Sequence, residues 1–354
     1  MLKRRAVLTV TLIAVFIVFI AFTVTRAEKT RKTAKYKDYE ISGPYSYKNL
    51  DIFLVHGEDK IKAGKILTLE EAMEQKKIVV HETSNVGQLM VENKSDDSTI
   101  YIQSGDIVKG GKQDRVMRYD VMVPPKSKPI PVDSYCVEAG RWSQRGNENQ
   151  RNFAGSKKMV VSKKAKLAAK HKGSQQVVWG EVSNIQDKLS TNLSAPVKSR
   201  QSETSLQLTL ENKTLKKEMG LYVKHLGNIF EDKKDILGFI FAVNGEINSA
   251  DIYSSRALFK KLRAKLLESC AVEAIAEIKK NSPVKAKSLT LTDIIEWLVE
   301  VEKGRKSQQA VNASVEMHIR ESDANVAFET VDKSREPGKS RWIHKNYIKK
   351  SKKK

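Results

Sequence analysis

Among its 354 residues the chain has only two cysteines, Cys136 and Cys270. That count excludes a disulfide-stapled scaffold, and nothing in the spacing demands a bridge. No CxxC pair occurs, so the sequence offers no cysteine zinc site. The six histidines are scattered, and none forms a tight pair with another. We therefore expect no metal site and no cofactor. HExxH, GxSxG and GxxxxGKS/T are all missing, which leaves catalytic residues unassigned. Aromatic residues make up 7%, and only Trp342 and Tyr347 interleave with a basic run. A base-stacking platform for nucleic acid is thus poorly supported. No fixed repeat period stands out, which argues against solenoids and propellers.

What the chain does have is positive charge. Lys and Arg number 64 against 42 Asp and Glu, a formal net charge of +22. Such a balance suits an anionic small molecule or a polyanion, although a lysine-rich surface also occurs without any such partner. The start of the chain reads as a targeting element. "MLKRR" precedes Ala6–Thr25, twenty residues without charge, enough to span a bilayer. A cleaved signal has a shorter apolar run, and Thr-Arg-Ala before Glu28 is a poor cleavage site. We expect residues 1–25 to be a signal anchor, a single N-terminal transmembrane helix that makes the membrane itself a partner. The long body should then be extracytoplasmic, because long domains translocate largely regardless of flanking charge. Nucleic acid is an improbable partner for an exported body.

Residues 26–44 are basic and polar and read as a tether. The segment 45–332 reads as an α+β domain, β-rich over 45–142 and helix-rich over 157–304, with a hairpin at 314–332. The strands should be mostly antiparallel and packed against the helical C-terminal half. "TLEEAMEQKKI" carries a capping box, Thr68 with Glu71. The polar stretch that follows Trp142 reads as a long surface loop. Residues 157–172 hold seven lysines. The two apolar runs around Asn244-Gly245 form the best hairpin, since this dipeptide suits a two-residue turn. Ser255–Lys280 is an amphipathic helix, with Cys270 on its buried face. Residues 333–354 carry ten Lys or Arg against one Glu and read as a disordered basic tail.

The densest polar constellation lies between Gly110 and Trp142. Gly110 and Gly111 allow close backbone approach, and their amides suit an anion nest. Lys112 and Arg115 supply positive charge, and Gln113 and Asp114 supply directional contacts. Cys136 and Glu138 alternate on a strand and project to one face. Arg141 offers a planar fork for carboxylate or phosphate, and Trp142 a ring to stack or bury. The competing reading is structural: tight turns, a strand-core cysteine, and charged side chains that pair with each other to fasten two strands.

The run from Gly105 to Trp142, with its "GGKQDR" and "IPVDSYCVEAGRW" segments, resembles the ARG and rhodanese-phosphatase superfamily-associated protein domain family. "QQVVW" (Gln175–Trp179) and "FAVNGEINSADIYSS" (Phe241–Ser255) resemble it too. The likeness spans roughly residues 45–280 and leaves out the C-terminal helix, hairpin and tail. One departure is Asp133-Ser134, which stand before Tyr135-Cys136 where the pattern brings the cysteine nearer the Pro-Val pair. The resemblance implies association with ADP-ribosylglycohydrolase-like and phosphatase-like proteins, and hence a nucleotide-derived or phosphorylated ligand.

Three functions stay open on the sequence. The first is a membrane-anchored module binding a small anionic or nucleotide-derived ligand at Gly110, Gly111, Lys112, Gln113, Asp114, Arg115, Cys136, Glu138, Arg141 and Trp142. The second is a hydrolase or transferase with Asp114 or Glu138 as acid/base and Cys136 as nucleophile, which needs a base such as His81 or His225 brought in by folding. The third is a polyanion-binding structural protein that uses the lysine-rich segment and the tail.

Overall fold

The structure is a computed structural model that describes residues 33–61, 64–159, 161–231, 233–279, 288–334 and 341–350. Eighteen strands form three sheets around seven α-helices among these residues. The largest sheet takes strands from both ends of the chain. In spatial order it runs β1 (Thr33–Tyr36), β2 (Tyr39–Tyr47), β3 (Leu50–His56), β13 (Ile236–Val243), β14 (Glu246–Tyr253), β18 (Trp342–Lys349), β17 (Asn325–Asp332), β16 (Val315–Glu321) and β15 (Arg305–Ala310). All its neighbours are antiparallel.

Period-two alternation gives this sheet two apolar faces. Leu50, Ile52, Leu54, Phe239 and Phe241 join one core cluster with α3 (Gln175–Leu193), α5 (Lys213–Leu226) and α6 (Arg256–Ala276). Phe53, Val55, Ile240 and Ile252 turn the other way, towards Ile294, Trp297, Leu298 and Val301 of α7 (Leu291–Glu302). Each such side chain contributes about 1.5–3 kcal/mol when fully buried. All eight residues of β13 are buried, as a strand covered on both faces must be. Asn244 (φ 53°) and Gly245 (φ 71°) both take the positive φ that the tight hairpin turn requires. The Asn244 amide also donates to the Glu277 carbonyl at 2.8 Å, and Asn49 donates to that of Ala274 at 2.9 Å, so the turn and its neighbour close the end of α6.

The two smaller sheets carry the rest of the first half. One has the order β10 (Val121–Val123), β7 (Thr99–Ile102), β4 (Ile66–Thr68), and its β4–β7 pair is parallel. The other runs β12 (Phe153–Met159), β8 (Asp106–Gly110), β9 (Arg115–Met117), β11 (Ile130–Cys136), β6 (Gln88–Asn93), β5 (Ile78–Asn85). Helix α1 (Leu69–Glu74) opens with a complete capping box between Thr68 and Glu71. The short helices α2 (Lys163–Leu167) and α4 (Leu206–Leu210) flank α3 in sequence.

Four expectations are corrected. A β-rich first half packed on a helical second half gives way to a sheet-rich mixed fold, because the second half of the chain supplies six of the nine strands of the main sheet. The tether of residues 26–44 is structured from Thr33 onward: Tyr36, Tyr39 and Ile41 are buried in the cluster around α7. The segment 333–354, expected to be a disordered tail, contains a central strand, β18, hydrogen-bonded to β14 on one side and β17 on the other. Its lysines disguise buried Ile343, Tyr347 and Ile348, and Lys345 is paired with Glu329 at 2.8 Å. Finally, among the described residues no helix is long and apolar enough to cross a membrane, and Ala6–Thr25 lie outside them. The single-pass anchor and the exported location therefore have no support in the described fold.

Candidate functional site

The glycine pair sits at the end of β8, at the turn into β9. Gly110 has φ 111° and Gly111 φ 54°, and a Cβ on Gly111 would meet the Phe153 ring at 2.3 Å. Only glycine fits there. The turn aims three successive amides inward. Gly110 N–H donates to Asp114 Oδ1 (3.0 Å), Gly111 N–H to the Asn149 carbonyl (3.0 Å), and Lys112 N–H to Glu82 Oε2 (3.1 Å). This is the geometry of an anion nest. Its acceptors are the protein's own: the Asp114 and Glu82 carboxylates and the Asn149 carbonyl.

Beneath the turn lies a closed network of buried charge. Arg145 forks onto Asp114, Nη1 to Oδ2 and Nη2 to Oδ1, both at 2.9 Å. The same guanidinium reaches Glu138 Oε1 at 3.1 Å and Glu148 Oε1 at 2.9 Å. Arg141 Nη2 lies 2.7 Å from Glu138 Oε2 and donates to the Gly110 carbonyl at 3.2 Å, while its Nη1 donates to that of Gly111 at 3.1 Å. Ser205 Oγ closes the set by donating to Asp114 Oδ2 at 2.8 Å. Burial alone would push the Glu138 carboxyl up. Hydrogen bonds from Arg141, Ser202 and the Asp114 amide outweigh it, and the group is held below its ordinary value.

A second pairing braces the other side. Arg115, fully buried, donates to both oxygens of Glu82 (3.2 and 3.3 Å), to the Val86 carbonyl (2.8 Å) and to Cys136 Sγ (2.6 Å). Gln175 clasps the Cys136 backbone from α3, accepting from its N–H and donating to its carbonyl, both at 2.8 Å. Burial pushes the Cys136 thiol up to about 11, the Arg115 charge only partly opposing it. Neither His81 nor His225 bonds to this thiol. His81 faces Asn152 and Glu92, and His225 stacks on Tyr47. A buried thiol with a raised pKa and no base is a poor nucleophile.

The structure thus sorts the ten expected site residues. Gly110, Gly111, Asp114, Arg115, Cys136, Glu138 and Arg141 are spent on internal pairing, and Gln113 is buried. Lys112 and Trp142 remain. Trp142 is 42% exposed, and Lys112 Nζ lies 5.1 Å from its ring centroid. Lys112 makes no ion pair among the described residues. Exposed Val86 lies nearby, its carbonyl held by the same Arg115 whose guanidinium is 5.6 Å from the Trp142 ring.

Sequence reasoning missed Arg145, Glu82, Glu148 and Ser205. Arg145 lies in a glycine-rich polar loop that reads as solvent-exposed, yet it is 7% exposed. The available signal was its position four residues after Arg141 in a run already rich in charge. Two further clusters went unread. His344 of β18 lies buried between Asp120 (Nδ1, 2.9 Å) and Asp251 (Nε2, 3.0 Å), stacked on Tyr253 at 4.4 Å. Ser42, His56 and Asp235 are hydrogen-bonded in the order of a Ser-His-Asp triad, 2.7 Å from Ser42 Oγ to His56 Nε2 and 3.0 Å from Nδ1 to Asp235. Burial runs the wrong way for catalysis there: Ser42 is fully buried, while the Asp235 side chain is exposed. Among the described residues no cluster of His, Cys, Asp and Glu is arranged to hold a metal ion.

No curated protein and no solved structure matches the chain. A family does, and the match runs from residue 38 to residue 348. It therefore takes in α7, the 315–332 hairpin and nearly all of β18, which the motif resemblance left out. On that coverage the chain belongs to the ARG and Rhodanese-Phosphatase-superfamily-associated Protein domain family.

Proposed function

We propose that this domain binds a small nucleotide-derived anion, with Trp142 as the stacking surface and Lys112 as the cationic contact. The observation that carries the reading is the residue left over. Within the GGKQDR and CVEAGRW segments Asp114, Arg115, Glu138 and Arg141 are consumed in internal pairs, and an exposed indole with Lys112, outside those pairs, over its ring stands on top. Buried networks of this kind rigidify what they support, so Trp142 would be presented in one orientation. Base-aromatic stacking contributes about 1–3 kcal/mol, and the ammonium suits phosphate. The ARG and phosphatase association in the family's name agrees with such a ligand. Polyanion binding through the basic segments has less to support it. Lys157 pairs with Glu70 and Glu74, Lys158 with Glu268, Lys345 with Glu329 and Lys350 with Glu321.

The test is titration calorimetry of the full chain with ADP-ribose, AMP and inorganic phosphate. Trp142→Ala should weaken binding of the two nucleotides by roughly 5- to 100-fold and leave phosphate little changed. Lys112→Ala should weaken all three. Both positions are at the surface, so stability should stay within about 0.5 kcal/mol of the parent. Equal nucleotide affinity in parent and Trp142→Ala would refute the reading.

A further inference from the structure

A cavity outside the Gly110–Trp142 block has chemistry of its own. It measures about 250 Å³ and opens between the start of α2, the middle of α3, the end of α6 and the β13–β14 turn. That is slightly below the range of about 300–1,000 Å³ typical of drug-sized ligands, and suits a smaller one.

Its floor is an acceptor surface. Glu273 is 3% exposed, and its Oε1 accepts from the Lys163 amide (3.0 Å) and from Asn248 Nδ2 (2.9 Å). No cation within ion-pair distance neutralises this carboxylate among the described residues, although it is almost wholly buried. Asn248 is 4% exposed, and its amide oxygen is buried with no hydrogen-bond partner. A buried oxygen without a donor costs free energy until something supplies one. Both groups ask for a donor, and a cationic one satisfies the carboxylate as well.

The wall beside them has the opposite demand. Lys163 lines the cavity on α2, half-buried, and makes no ion pair of its own. Burial holds its amine below the ordinary lysine value, against the pull of Glu273 and Glu246. Exposed Lys164 stands next to it at the rim. The residue that turns the chain into this wall, Ser162, is a non-glycine at φ 69° whose hydroxyl accepts from the Ala165 amide at 3.1 Å. A left-handed non-glycine residue costs on the order of 1–3 kcal/mol and persists only where its surroundings hold it.

From these observations we infer that the cavity binds a small zwitterion of the amino-acid class. Its ammonium is held by Glu273 and the Asn248 amide oxygen, and its carboxylate by Lys163. The pairing of an acceptor floor with a cationic wall selects a ligand with both charges over an anion or a cation alone, because either one leaves half the site unsatisfied.

The experiment is calorimetric titration of the full chain at neutral pH and constant ionic strength. The probes are glycine, β-alanine and γ-aminobutyrate, with acetate plus methylammonium as the divided control. At least one zwitterion should bind saturably and the control should not. Lys163→Met keeps the backbone amide that holds Glu273 and should weaken binding by roughly tenfold or more, about what one hydrogen bond to a charged group is worth. Glu273→Gln should do the same from the other pole. Should that variant fail to fold, Lys163→Met and Asn248→Leu carry the test. A control that binds as well as the zwitterions, no saturable binding by any of the three, or unchanged affinity in a folded Lys163→Met would each overturn the inference.

Discussion

Replacing Arg145 with methionine should destabilise the domain by about 3–5 kcal/mol, the cost of removing one partner from a buried ion pair. The structure places the effect within that range. Arg145 is the only side chain that bonds both Asp114 and Glu138 among the described residues within 3.2 Å, through two contacts at 2.9 Å and one at 3.1 Å. Methionine fills much of the space and restores none of the charge. Asp114 would keep Ser205 Oγ and the Gly110 amide, and Glu138 would keep Arg141 and the Asp114 amide. Those survivors point to the lower end, near 3 kcal/mol. Equilibrium urea unfolding followed by circular dichroism reads this as a lower midpoint at unchanged slope. A companion variant, Arg145→Met with Asp114→Asn, removes the stranded charge and should recover about 1–2 kcal/mol as a coupling energy. The pH dependence has a defined sign. The folded Glu138 carboxyl is held below its ordinary value, so its contribution is present above about pH 4.3 and lost as pH falls through the lower folded value. The gap between parent and variant should therefore be widest near neutrality and close in acid. A loss under about 1 kcal/mol at neutral pH would show that the network behaves as exposed ion pairs do, and would refute both its structural role and the rigid support claimed for Trp142.

Two other outcomes follow from the buried strand at the end of the chain. Burial lowers the His344 pKa, but Asp120 and Asp251 more than compensate and raise it, so the stability it contributes is complete below about pH 6.5 and lost as pH rises through the folded value. The urea midpoint of the parent should fall on that alkaline side and that of His344→Asn should stay flat; parallel profiles would contradict the charge state we assign to His344. Deleting residues 341–354 strips β18 from between β14 and β17 and exposes two inner edges, so the truncated chain should lose its cooperative unfolding transition. A parent-like transition in circular dichroism would mean that these residues lie outside the cooperative unit.

Periodicity made some of this fold legible and charge hid the rest. The β13–β14 hairpin and α6 are apparent in sequence because each is long, apolar on a fixed period and punctuated by Asn244-Gly245 or Ser255. Strand β18 is as central as β13, but two of its three half-buried positions are lysines in a segment rich in lysine, and net charge is blind to the face on which each charge falls. The same blindness affects the Gly110–Trp142 block. Its residue types are those of an anion site, and the turn does build a nest; what composition cannot reveal is that Asp114 and Glu82, the latter 33 residues before Arg115, already occupy it. An arginine that binds ligand and an arginine that fastens two strands look alike in sequence, because both need a carboxylate or phosphate at the fork. Only three-dimensional pairing separates them, by asking which groups are still unsatisfied once the chain has folded. By that criterion the groups left for the ligands we propose are not the arginines but Lys112 and Trp142 at one surface, and Asn248, Glu273 and Lys163 in the cavity beside α2.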